Sequence, residues 1–219
     1  MSLEVAEGLK AAGLSPDEVA AMQYFLGELL RWNRVHNLTA IDETEAAFHL
    51  HVIDSIVVLP ILQRYLQTPV PASDTPIQIA DLGAGGGLPG IPLAILEPTW
   101  FFSLIEASKK KAAFLQHVRG SLGLRHVQVM ASRVEDVAKT HCAFFDAVTA
   151  RAFTRLNKLL DLSAPLLKSS GFVFAMKSQQ SKEEISEVSS KDWKLLEECA
   201  LSLPGQALDR RLLVFQYQQ

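Results

Sequence analysis

The stretch Ile77–Gly90, IQIADLGAGGGLPG, leaves the chain few folds to choose from. An apolar run ends in Asp81, glycines follow at 83, 85, 86 and 87, and Pro89 opens a second apolar-periodic run. That order predicts a strand, a tight turn and the start of a helix. Glycine takes the positive φ such a turn needs, and proline suits a first helical position. A helix start directs N–H groups and partial positive charge at whatever lies before it. The dinucleotide fingerprint needs a third glycine three residues after the second, and Leu88 stands there instead.

What remains, Asp-x-Gly-x-Gly-x-Gly from Asp81 to Gly87, resembles the first motif of the S-adenosylmethionine (SAM) methyltransferases. SAM carries no pyrophosphate; it presents an ammonium, a carboxylate and a sulfonium. Asp81 can face the ammonium, directly or through water, and backbone N–H groups can face the carboxylate. Asp81, Gly83, Ala84, Gly85, Gly87 and Leu88 are therefore candidate cofactor residues. The alternative is a glycine-rich turn in an unrelated α/β protein.

Composition narrows the function classes. The 219 residues suffice for one domain plus an extension. No apolar run is expected to reach the roughly 20 residues of a membrane span, and MSLEVAEGLK lacks a signal-peptide core. A cytoplasmic protein without membrane partners is the expectation. Two cysteines, Cys142 and Cys199, are too few for a disulfide framework or a zinc site, and no metal is expected. A net charge of −3 is not that of a general nucleic-acid binder, so any RNA contact needs a local basic patch.

Residues 2–13 read as a helix ending near Gly13. Ser15-Pro16-Asp17-Glu18 is a strong helix start, with a capping serine, a proline and a glutamate three residues on. That helix is expected to reach Trp32–Arg34 and to bury Met22, Phe25, Leu26, Leu29 and Leu30. Asn33 and Asn37, four apart, either share a face at a site or cap and bridge helices. A third helix is expected from about Glu45 to Leu66. Its His51 and Asp54 read as a buried pair that orients a loop; His49 and His51 diverge too far to share a metal. Thr68–Pro76 is a linker, which divides a helical region, 1–70, from the rest, 71–219.

From Ile77 onward strands and helices alternate. Strands are expected at about 77–82, 100–105, 127–131, 144–149, 171–176, within 193–203, and at 211–217. Helices are expected at Pro89–Leu96, after Ser108, at Leu156–Lys168 and at Gln179–Glu187. The fold class is α/β: a Rossmann-like, seven-stranded, mostly parallel sheet with its last strand antiparallel and an N-terminal helical extension. Glu106 closes the second strand, where a ribose is held by its hydroxyls. Lys109, Lys110 and Lys111 oppose the dipole of the helix they begin, which points to phosphate contact or to a solvated face. After strand three, Glu135 or Asp136 can meet an adenine amino group while Val134 packs on the ring; alternatively Ser132 caps a short helix. Arg151 closes strand four, with Arg155 and Lys158 near it, as a candidate for RNA phosphate or cofactor carboxylate.

Taken together, RWNRVHNLT (31–39), HVIDS (51–55), DLGAGGGLPGIPLA (81–94), the lysines before Phe114-Leu115, SRVED (132–136), ARAF (150–153) and Lys177 resemble one family over nearly the whole chain. It is the bacterial 16S ribosomal RNA guanine-N7 methyltransferases of the G type, also called glucose-inhibited division protein B. The resemblance implies SAM contacts at Gly83, Leu88, Val134, Glu135 and Arg151. It implies RNA or catalytic-site roles for Asn33, Asn37, His51, Asp54, Lys177 and Arg210 or Arg211. It also implies a guanine of the 530 loop as target, 16S rRNA or a small-subunit precursor as partner, and S-adenosylhomocysteine as product. Leu50, Ser178 and the terminal QYQQ depart from the family's usual residues. A monomer is expected.

The chemistry is compatible with that target. The chain has no Asn/Asp-Pro-Pro-aromatic motif for an exocyclic amine, and Cys142 sits in a connection, poorly placed as a nucleophile for cytosine. Guanine N7 has an in-plane lone pair and no proton to lose, so positioning supplies most of the acceleration. Arg151, Lys177, Asn33 and Asn37 are the candidate positioning residues. Helical RNA hides N7 in a deep groove, so a loop is the expected target. The candidate basic patch is Arg151, Arg155, Lys177, Arg210 and Arg211, with Lys109–Lys111. A SAM-dependent small-molecule or protein methyltransferase and a non-catalytic Rossmann-like module are the rival readings.

Overall fold

The computed structural model describes residues 7–9, 13–67, 75–178, 181–188, 191–201 and 210–219. Most of the expected first helix and linker, and the turn at Pro204-Gly205, lie outside them.

Helix α1, Pro16–His36, starts as its sequence dictates. The Ser15 hydroxyl accepts from the Glu18 N–H, and the Glu18 carboxylate accepts from the Ser15 N–H. It ends at Asn37, which takes φ 49° and donates its N–H to the Asn33 carbonyl. Met22, Phe25, Leu26 and Leu29 are buried as expected, while Leu30 is only half-buried.

The expected single helix from Glu45 to Leu66 is broken into pieces. They are α2, Thr44–Ala47; a π-helical segment, Phe48–Ile53; α3, Asp54–Ile56; and α4, Leu59–Leu66. Such π turns inside helices concentrate at functional sites, and this one carries Leu50 and His51, both of which reach a sheet residue described below. The expectation about apolar runs also needs correcting. Thr44–Leu66 is long and apolar enough, by composition, to cross a membrane; here 56% of its most apolar window is buried inside the protein.

Strands β1 (Gln78–Leu82), β2 (Phe101–Ile105), β3 (Val127–Met130), β4 (Phe145–Arg151), β5 (Leu167–Ser178), β6 (Trp193–Leu201) and β7 (Arg210–Tyr217) form one sheet. Its order is β3-β2-β1-β4-β5-β7-β6. The first five strands pair in parallel, and β7 runs antiparallel to both β5 and β6. Between strands lie α5 (Gly90–Leu96), α6 (Lys109–Ser121), α7 (Val134–Ala138), α8 (Leu156–Ser163) and α9 (Ser181–Ser186).

Both sheet faces are covered, which is why the strands read as apolar runs. Ile79, Phe102 and Leu104 face one core together with Phe25, Leu29, Leu62 and Phe114. Ala80, Leu82 and Ile105 face the other, with Leu156, Leu159 and Leu160. The N-terminal helices thus share a core with the sheet.

Three local expectations change. The helix from Leu156 stops at Ser163, and β5 begins at Leu167 after a 3-10 turn holding Pro165, which has no N–H to continue a helix. Lys168 is therefore a strand residue, with its Nζ 2.8 Å from Asp146 Oδ1. Arg133, not Ser132, stands at the N-cap of α7, without a side-chain capping bond. Strand β4 runs on through Arg151.

Candidate active site

The turn after β1 has the expected backbone. Gly83 lies at φ 66° and Gly87 at φ 80°. A Cβ on Gly83 would stand 2.2 Å from Phe153 Cδ2, and one on Gly87 would stand 2.7 Å from Ile91 Cγ1. Both positions therefore exclude a side chain on two independent grounds.

Asp81 lies behind this turn rather than in it. Its Oδ2 accepts the Gly90 N–H at 3.0 Å, and its Oδ1 accepts the Thr149 hydroxyl at 3.2 Å. The carboxyl is fully buried, and burial pushes its pKa up to about 7 against the pull of these hydrogen bonds and of Arg151. Both oxygens are engaged with protein groups, so Asp81 ties the start of α5 to β1 and β4. The expected contact with a SAM ammonium is not the one this geometry offers.

Glu106, at the end of β2, is turned toward the turn. Its Oε2 accepts the Gly85 N–H at 2.9 Å, and its Oε1 accepts the Ser108 N–H at 2.7 Å. Past β3, Val134 is buried and Glu135 beside it is exposed. Asp136 ion-pairs with Lys139 at 2.6 Å, which leaves Glu135 as the freer acid. Bare positive-φ backbone after β1, an acid after β2, and an apolar–acid pair after β3 fit the parts of SAM in order along the carboxyl edge. Leu88 and Ala84 are buried under that turn.

Next to it opens a cavity of about 530 Å³, lined among others by Thr39, Leu50, His51, Asp54, Arg151, Phe153, Lys177, Glu184 and Arg210. Arg151 organises it. Its Nη1 donates to the Leu50 carbonyl at 2.9 Å and to Asp54 Oδ2 at 3.0 Å, and its Nη2 lies 3.1 Å from His51 Nδ1. His51 Nδ1 is also 3.0 Å from the Leu50 carbonyl and its Nε2 is 2.7 Å from Thr39 Oγ1, so both ring nitrogens are engaged. Burial, then the Arg151 charge, lowers the His51 pKa to about 4, so the ring is neutral. Asp54 also faces Arg210, whose Nε is 3.6 Å from Oδ1. The expected His51–Asp54 pair is in fact a pair of neighbours held by one arginine.

Asn33 supports this cluster from α1. Its Oδ1 accepts the Thr39 N–H at 2.8 Å, and its Nδ2 lies 3.5 Å from the Ile41 carbonyl. Asn37 is exposed at the helix end. Of the two readings of these asparagines, the geometry matches capping and bridging.

The expected open basic patch is internally neutralised. Lys177 Nζ is 2.7 Å from Glu184 Oε2 and 2.7 Å from the Thr154 carbonyl. Arg155 Nη2 is 2.8 Å from both oxygens of Glu187, and Arg211 pairs with Glu198. Lys109, Lys110 and Lys111 begin α6 and do not line the cavity. Sequence reasoning missed Glu184, Glu187, Glu198 and Thr149, because nothing local marks a residue whose partner comes from another element. Cys142 precedes β4, at the opposite end from Arg151, consistent with its not being a nucleophile.

Comparison with known proteins places the chain in a family. A family model described as rRNA small subunit methyltransferase G matches residues 18–214. A ribosomal RNA small subunit methyltransferase G of Polynucleobacter asymbioticus is 54% identical over 215 residues, covering 95% of this chain and 94% of that protein. One of Sorangium cellulosum is 41% identical over 187 residues, 84% of this chain and 75% of that protein. Among solved structures, a putative S-adenosyl-L-methionine-dependent methyltransferase of Methanococcus maripaludis superposes with a TM-score of 0.58 at 11% identity. The match covers 80% of this chain and 90% of that one, a likeness of fold.

Proposed function

The chain belongs to the rRNA small subunit methyltransferase G family, and on that premise we propose that it transfers the methyl group of SAM to N7 of a guanine in 16S rRNA. The target is the 530 loop of the decoding region, and S-adenosylhomocysteine is the product. One observation supports the choice of N7: among the described residues, every candidate base lining the cavity lies against a cation. Both nitrogens of His51 are engaged, Asp54 is bound through Oδ2 to Arg151 while its Oδ1, without a hydrogen bond, faces Arg210 at 3.6 Å, and Glu184 is paired with Lys177. An acceptor that must lose a proton would need one of them; N7 attacks with a lone pair and loses nothing.

SAM supplies an electrophilic methyl on a sulfonium. The chain's own residues do the positioning, which can account for most of the acceleration in such a displacement. Gly83, Ala84, Gly85, Gly87 and Leu88 form the cradle, with Asp81 bracing it from behind. Glu106 takes the ribose hydroxyls, while Val134 and Glu135 take the adenine. Arg151 lines the cavity and its charge reaches Asp81 behind the turn, and it serves the cofactor carboxylate or the RNA. Asn33, through Thr39 and His51, holds Arg151 in place, and Asn37 ends the helix that carries Asn33. Lys177, Arg155, Arg210 and Arg211 reach RNA at the cavity mouth.

Residues 1–70 act as a helical cover over the cavity, and residues 71–219 as the catalytic part. The protein works as a cytoplasmic monomer on 16S rRNA or a small-subunit precursor. The test is transfer of labelled methyl from SAM to small-subunit RNA lacking the modification, followed by mapping. One labelled guanine with a positively charged N7-methyl base is expected; label only on protein or on a small molecule would refute the reading.

A further inference from the structure

Helices α1 and α6 pack antiparallel. Glu28 Oε2 lies 2.6 Å from His117 Nε2. The Trp32 ring stacks on His117 at 5.4 Å and meets Phe114 at 5.6 Å between centroids. As numbers rise along α1 they fall along α6. One further turn therefore brings Arg34 and His36, at the end of α1, level with Lys110 and Lys111, at the start of α6. Lys110, Phe114 and His117 are spaced four and three apart, so Lys110 lies on the side of α6 that faces α1.

Among the described residues, this joint end gathers cations without counter-charges. Arg34, Lys109 and Lys110 are exposed and Lys111 is half-buried. Among the described residues none of the four side chains makes an ion pair or a hydrogen bond. The cavity's arginines and lysines, by contrast, each face a carboxylate. The lysines also oppose the dipole of their own helix, a local conflict of the kind that marks function.

The same two helices lean on the glycine turn. A Cβ on Gly86 would stand 3.0 Å from Leu29 of α1, and one on Gly87 would stand 3.2 Å from Leu115 of α6. The middles of both helices therefore lie against the cofactor turn, the cationic end stands about one helical turn farther along each helix, and none of its four cations lines the cavity.

We propose that the joint end of α1 and α6, carrying Arg34, Lys109, Lys110 and Lys111, is a docking surface for the RNA sugar–phosphate backbone, separate from the cavity. A phosphate binding here breaks no existing ion pair, whereas one entering the cavity competes with a resident carboxylate. The surface holds the strand flanking the target, and the cavity takes the base. This rests on the rRNA reading above.

The test compares the wild type, a variant with Arg34→Gln, Lys109→Gln, Lys110→Gln and Lys111→Gln, and a control, Arg125→Gln, exposed in the turn that follows the other end of α6. Binding of small-subunit RNA is measured across salt concentrations, with methylation kinetics and SAM affinity alongside. Each phosphate contact adds about 0.7–0.9 to the log–log salt slope, so the fourfold variant is expected to lose about 3 of slope. Its KM for RNA should rise by about tenfold or more, with kcat and SAM affinity near wild type, as for loss of uniform binding. The control should match wild type. A fourfold variant with the slope and KM of wild type, or a control that loses as much per charge, overturns the surface. Absence of methyl transfer to RNA by the wild type counts instead against the rRNA reading, while the salt slope still judges the surface.

Discussion

Arg151 Nη1 lies 3.0 Å from Asp54 Oδ2, so the end of the fourth strand is bound to the N-terminal helices inside the cavity. The two residues are 97 positions apart, and Asp54 is 3% exposed. Removing one member of such a buried pair leaves the other uncompensated, at about 3–5 kcal/mol. Asp54→Ala is expected to lose about that much in chemical denaturation, and to lose methylation activity because Arg151 no longer has its anchor. A variant as stable as wild type would show that the pair does not hold the two parts together.

His51 and Asp81 make opposite contributions to pH dependence. His51 has its folded pKa lowered from 6.5 to about 4, so its contribution is fully present above 6.5 and lost as pH falls toward 4. Asp81 has its folded pKa raised from 3.8 to about 7, so its contribution is present at low pH and lost as pH rises through 7. Between pH 4 and 6.5 the two slopes oppose each other. Wild-type stability should therefore be nearly flat across that window. His51→Gln should make stability fall with rising pH, and Asp81→Asn should make it rise. Denaturant midpoints at several pH values read this directly, and parallel profiles for the two variants would contradict it.

Gly83 and Phe153 can be tested as a pair. Gly83→Ala meets a φ of 66° and a ring carbon at 2.2 Å. We expect a loss of about 2–3 kcal/mol from strain and overpacking, with weaker SAM binding. Adding Phe153→Ala should recover the steric part and leave the backbone strain. Equal destabilisation of the single and double variants would place the ring elsewhere in solution.

Glu184 masks Lys177 and also accepts the Leu156 N–H at 2.7 Å. Glu184→Gln retains an acceptor for that N–H and removes the charge. RNA affinity should rise at low salt, and the log–log salt slope should steepen by about 0.7–0.9, one added phosphate contact. An unchanged slope would mean that Lys177 is a structural residue.

Local signals carried much of the fold. The Ser15–Glu18 capping box, the positive-φ glycines and the apolar strands were legible because each depends on a residue's own conformational limits or on neighbours a few positions away. The π-helical break at Phe48–Ile53 was not, since nothing in FHLHVI opposes an ordinary helix. There the approach of Arg151 from the sheet, 100 residues on, brings a cation to the Leu50 carbonyl and the His51 ring.

By itself, then, the sequence determined the strand–turn–helix cradle, the parallel order of elements and the family's motifs, since backbone freedom and apolar periodicity are intrinsic to the residues. The tertiary structure alone decided what each charge does. Asp81 turned inward, and Arg155, Lys177 and Arg211 were matched to Glu187, Glu184 and Glu198, while Arg34 and Lys109–Lys111 were left unmatched among the described residues. A charge's effect depends on the few ångströms around it, and folding brings residues from distant parts of the chain into that shell.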